Sequence, residues 1–143
     1  MPYENVDGQN VYYELKGSGE TIVFIHAPVL PSQIFQQQAV NLTKGYCVLI
    51  FDLFGHGRTS PATAVWSFAE IARTLYKLLD RLNIKQAWIC GYSAGASIAF
   101  EFASLYPERT AGLIPIGAAD DKKGLLLKIL VRASIWACRK KLV

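Results

Sequence analysis

Apolar residues arrive in short unbroken runs separated by longer stretches in which they recur every three or four positions. VYYEL at 11–15 is rich in β-formers, and GSG at 17–19 marks a turn. TIVFIH at 21–26 is a continuous apolar run of the kind a strand buried on both faces needs. Residues 32–43 read as a helix with Ile34, Phe35 and Leu42 as its apolar contacts. YCVLIFD at 46–52 is a second buried strand. The strongest helical pattern follows at 68–82, where Phe68, Ile71, Ala72, Leu75, Leu78, Leu79 and Leu82 share one face. Ser67 and Glu70 have capping-box spacing at its start, and Asn83 is a stop. QAWIC at 86–90 predicts a third buried strand, 94–106 a small-residue helix closed by Pro107, and AGLIPIG at 111–117 a fourth buried strand. Pro115 suits an edge or a strand end better than a sheet centre.

Buried strands alternating with helices predict βαβ units: an α/β fold with a mostly parallel sheet and helices on both faces. In such sheets ligands bind beyond the carboxyl ends of the strands. That places candidate chemistry around His26, Asp52, residues 91–95 and residues 117–121.

Length and composition narrow the picture. With 143 residues and 52% apolar content the chain suits one domain with a sizeable core, and neither disorder nor a collagen-like repeat. No apolar run approaches the ~20 residues that span a bilayer. Residues 1–10 carry neither a basic nor an apolar leader pattern, so a signal peptide is not expected. The net charge of +4 is unevenly spread: residues 1–121 hold eight basic and eleven acidic side chains, and residues 122–143 hold seven basic and none acidic. The body, 1–121, thus forms the expected core, and 122–143 a basic amphipathic helical tail, the start of a lid or cover helix. A nucleic-acid partner would call for Lys and Arg spread over a face of the body, and none is expected. Cys47, Cys90 and Cys138 have neither disulfide-framework nor zinc spacing, which fits a reducing cytoplasm and leaves no metal or other cofactor in the reading.

Gly91-Tyr92-Ser93-Ala94-Gly95 matches G-x-S-x-G between a predicted strand and a predicted helix, the context that motif requires. Small residues at 91 and 95 permit a tight turn with the Ser93 hydroxyl exposed, and the Ala94 amide at the helix start faces developing negative charge. With this motif the chain resembles the α/β-hydrolase family, notably its small esterase-like members. His26 ends a strand where the family has His-Gly. Asp52-Leu53-Phe54-Gly55-His56-Gly57-Arg58-Thr59-Ser60 resembles its D-x-x-G-x-G-x-S segment, and Tyr106-Pro107-Glu108-Arg109 its usual end of the next helix. The resemblance covers roughly residues 3–120. It implies a serine hydrolase of small carboxylic esters with Ser93 as nucleophile. It further implies Ala94, His26, Ala27, Val29 and Tyr92 as oxyanion or substrate-binding residues, and no cofactor.

Departures from the family pattern are equally specific. The family's triad runs Ser, Asp or Glu, then His, yet both histidines here, His26 and His56, precede Ser93. In the resemblance they are loop residues, not bases. Asp120 sits where some members place their acid. The second residue after His26 is Pro28, which has no N–H to offer an oxyanion, so the expected donor passes to Val29. The fold is thus read as a truncated hydrolase fold lacking its last strands, inactive alone unless a histidine comes from elsewhere. Two alternatives stand beside catalysis. One is a non-catalytic module that binds an apolar ligand, a second copy or a complementing chain at the open sheet edge. The other is a membrane-surface module acting through residues 122–143, where Leu126, Ile129, Leu130, Ala133, Trp136 and Ala137 share a helical face opposite Lys128, Arg132 and Arg139.

Overall fold

A computed structural model of the chain describes residues 2–61 and 66–118. Six described strands form one sheet: β1 (Tyr3–Val6), β2 (Gln9–Gly17), β3 (Thr21–Ile25), β4 (Cys47–Phe51), β5 (Ala87–Tyr92) and β6 (Thr110–Ile116). Their spatial order is β1-β2-β4-β3-β5-β6. β1–β2 and β2–β4 pair antiparallel, whereas β4, β3, β5 and β6 run parallel. The helices are α1 (Gln36–Leu42), α2 (Phe68–Arg81) and α3 (Ala94–Leu105).

Each parallel crossover carries a helix, and the apolar runs are divided between two cores. Val23, Ile25, Leu49 and Ile89 face α2 and α3, meeting Leu75, Leu79, Ile98 and Phe102. Ile22, Phe24, Val48, Ile50 and Cys90 face the other way, toward Phe35 and Ala39 at α1. A strand buried on both faces has no polar side to alternate with, which is why β3 is apolar throughout.

Helix α2 forms as its sequence dictates. Ser67 Oγ accepts the Glu70 N–H at 3.3 Å while Glu70 Oε2 accepts the Ser67 N–H at 2.6 Å. Asn83, at φ 56°, turns the chain out, and Ile84 N–H closes back on Leu79 O.

Three elements differ from the sequence expectation. The helix expected over 32–43 is a 3₁₀ turn, Ser32–Phe35, followed by the short α1. Strand β1 carries no strong apolar run; a tight turn at Asp7 and Gly8, both at positive φ, folds it onto β2. Strand β6 is the edge of the described sheet rather than a buried strand, with Ile114 and Ile116 exposed and Pro115 tolerated there. Between it and α1 lies an apolar groove of about 420 Å³ bounded by Ile22, Phe24, Leu42, Trp88, Ile114 and Ile116. The expected amphipathic tail and its membrane reading fall on residues outside those described.

Candidate active site

Strand β5 ends at Tyr92 and helix α3 begins at Ala94, so Ser93 alone makes the reversal. It does so at φ 55° and ψ −119°, a backbone conformation that side-chain-bearing residues avoid. The flanking glycines are required by contact. A Cβ on Gly91 would overlap the Gly95 carbonyl, and one on Gly95 would overlap the Ile25 carbonyl and lie 2.9 Å from that of His26. The Ser93 N–H donates to Ile116 O at 2.8 Å, fastening the turn to the end of β6. Ser93 is exposed, and among the described residues no side chain hydrogen-bonds to its Oγ. Ala94, the first residue of α3, carries one of the N–H groups that a helix start leaves without an internal partner. The exposed Ser93 thus sits immediately before a helix terminus whose N–H groups favour negative charge.

Both histidines of the chain are committed elsewhere. His26, fully buried, accepts the Leu53 N–H on Nε2 at 2.9 Å. Its Nδ1 must then carry the proton and donates it to Ala27 O at 2.9 Å. His56 repeats the pattern: Nε2 accepts the Val29 N–H at 3.0 Å, and Nδ1–H donates to Phe54 O at 2.8 Å. The two rings lie 5.4 Å apart. Burial holds the His26 imidazole below its ordinary pKa, and the neighbouring His56 adds to the effect. Neither ring keeps a free lone pair with which to take the Ser93 proton.

Asp52 organises the surrounding loops. Buried to 1% exposure, its carboxylate accepts the Ser32 N–H on Oδ1 and the Arg58 N–H on Oδ2, both at 2.9 Å. A Cβ on Gly57 would overlap this carboxylate, so the second glycine of the GHG segment is a packing requirement. Thr59, read in the sequence only as part of the Asp52–Ser60 segment, is a further brace: its Oγ1 accepts the Tyr12 N–H at 2.9 Å, joining the loop to β2. Arg58 lies over the Tyr12 ring at 4.5 Å and bonds its hydroxyl.

The loop after β3 differs from its expected role. Pro28 offers no N–H, the Leu30 N–H turns back to Ala27 O at 3.2 Å, and the Val29 N–H is held by His56. Ala27 is buried beside His26, and Tyr92 is exposed at the end of β5 near Gly117. Ser93, Tyr92, His26, Ala27 and Val29 thus lie at the carboxyl ends of β3 and β5 or in the turns that follow, and Ala94 opens α3 beside them. Asp120 lies outside the described residues. Burial raises the Cys90 thiol to about 11, which keeps it protonated and unreactive. Among the described residues no three His, Cys, Asp or Glu side chains gather as metal ligands, and no helix is long and apolar enough to cross a membrane.

Residues 20–133 match a family model described as alpha/beta hydrolase fold. Over 124 residues the chain is 33% identical to a dihydrolipoyllysine-residue acetyltransferase component of an acetoin cleaving system from Cupriavidus necator, covering 82% of this chain and 33% of that protein. It superposes with a TM-score of 0.77 on an enzyme described as degrading N-acyl homoserine lactones, at 30% identity, covering 80% of this chain and 44% of the other. A thermophilic esterase from Thermogutta terrifontis shares the fold at TM-score 0.80 and 24% identity, with 93% and 50% covered. The chain spans between a third and a half of the length of these proteins.

Proposed function

The chain belongs to the α/β-hydrolase fold family, and on that footing we propose that it carries the nucleophile half of a serine hydrolase acting on small carboxylic esters. The observation that supports this most is the conformation of Ser93: an exposed hydroxyl held at φ 55° by two glycines that no larger residue can replace. In the proposed step Ser93 Oγ attacks the ester carbonyl carbon. The oxygen gathers negative charge against the Ala94 N–H, the alcohol departs with a proton, and water later releases the acid from Ser93. The similar N-acyl homoserine lactone degrading enzyme supports a substrate that contains an ester, a lactone being a cyclic ester. The base comes from outside the described residues, because both imidazoles are occupied. Asp120 remains the proposed acid.

A fluorophosphonate probe with intact-mass readout tests the reading. One covalent adduct is expected on the wild type and none on Ser93→Ala. An unlabelled but folded wild type would refute the nucleophile assignment.

The saturated histidines and the open groove beside β6 favour a second reading, a non-catalytic module that binds an apolar ligand or a partner chain. It predicts ligand-dependent melting without Ser93-dependent turnover.

A further inference from the structure

The turn that follows β3 is unusual in what it asks of Val29. Residues 27–30 close a turn through Leu30 N–H to Ala27 O, with Val29 in its third position at φ 68°. That position ordinarily falls to glycine or asparagine, and a β-branched residue is strained there. Something must hold it. The Val29 N–H meets His56 Nε2 at 3.0 Å, and the opposite nitrogen of that ring is anchored on Phe54 O at 2.8 Å. This imidazole therefore ties the turn after β3 to the turn after β4.

The tie matters for the elbow because the two are in contact: the first turn of α3 packs so closely on the end of β3 that Gly95 touches the carbonyls of Ile25 and His26. Of residues 28–30, Pro28 has no N–H and Leu30 spends its own on Ala27, so Val29 holds the remaining main-chain donor, and His56 occupies it.

We propose that His56 is a positioning residue that clamps the Val29 N–H and so limits the anion-stabilising main-chain donors beside Ser93 to those of the α3 start. The clamp stands on the hydrogen-bond geometry; its effect on reaction rests on Ser93 being the nucleophile. Its neutral, Nδ1-protonated form is the only one that can both accept from Val29 and donate to Phe54. Removing the ring frees a main-chain donor in the turn that follows β3, and an anion-stabilising donor is worth about 10²–10³ in rate where it is well placed.

The test compares the full chain with His56→Ala by amide hydrogen exchange and by the rate of fluorophosphonate labelling. In the variant the Val29 amide is expected to exchange roughly tenfold faster or more, while the core amides of Ile89 and Ala99 keep their protection. The label is expected to attach at least tenfold faster. An unchanged Val29 amide in a folded variant overturns the clamp. A released amide with an unchanged labelling rate reduces His56 to a structural brace and overturns the positioning role. Absence of label in both proteins refutes the nucleophile reading instead, and the Val29 amide then decides the clamp alone. Should the variant fail to fold, imidazole nitrogen resonances of the wild type decide: a protonated Nδ1 with bare Nε2 on His56 supports the clamp, and the reverse tautomer overturns it.

Discussion

At the level of single residues, the elbow is shaped by contacts that leave its glycines no room for a side chain. Gly95→Ala places a methyl against the Ile25 and His26 carbonyls, which are backbone and cannot swing aside. The expected cost is about 2–3 kcal/mol or more, by analogy with overpacked cores, read as a lowered urea midpoint; an unchanged midpoint would mean that the helix start had moved. His26 gives a pH signature. Its folded-state pKa lies below the ordinary 6.5, so the native state binds fewer protons than the unfolded chain between those two values. Stability is whole above about pH 6.5, declines as the pH falls through that window, and levels off below the folded value. Urea unfolding at pH 7.5 and 5.5 should show the decline in the wild type and a shallower one in His26→Gln. Carboxylates held low by their partners, such as Glu14 beside Lys16, lose their share only at more acidic pH. G-x-S-x-G announces the sharp turn because glycine spacing and local chain reversal are sequence-local. The partners of His26 and His56 are not, since each ring takes an N–H 27 residues away and no local pattern encodes that choice.

Secondary-structure elements were legible in proportion to how much of their stability is local. Helix α2 declares itself through its capping box and apolar stripe. Strand β1 does not, because it is held by pairing with β2 and by the turn at Asp7 and Gly8 rather than by its own apolar run. Helix α1 begins as a 3₁₀ turn where Pro31 precedes it and the Ser32 N–H is drawn to Asp52. At the opposite end of the sheet from the elbow, Arg109 joins three elements. Its guanidinium donates to Lys85 O and Ile84 O, pairs with Asp80 at the end of α2 and covers the Tyr76 ring. Asp80 is half exposed, so the ion pair adds little, and the two carbonyl bonds and the stacking carry the effect. Arg109→Ala should lower stability by about 2 kcal/mol in denaturant unfolding and leave any Ser93 labelling rate unchanged. A selective loss of labelling would contradict that division of labour.

For the whole molecule, alternation of apolar runs and amphipathic stretches was enough to give the layered sheet, its mostly parallel direction and the helices on both faces. The exposure of β6 follows from topology instead. A 7-residue α1 covers the β3–β4 part of its face and leaves Trp88, Ile114 and Ile116 bordering open space. A surface of this kind takes apolar ligands. Titration with a short-chain fatty acid ester should therefore change Trp88 fluorescence and raise the melting temperature by a few degrees. Substituting Ile114→Asp should abolish both, and a response that survives the substitution would place the ligand elsewhere.

The bond from the Ser93 N–H to Ile116 O also makes the elbow depend on a strand that follows it in the chain. β5 pairs on one side with β3, some 66 residues earlier in the chain, and on its other side with β6. Pairings so distant in sequence form slowly, since the intervening loop must close before any contact rewards it. The contorted turn at Ser93 gains its brace from β6, the last strand to be synthesised among those described. During synthesis the elbow thus lacks its brace until β6 has emerged, and a half-made chain carries Ser93 without the fastening that holds its turn.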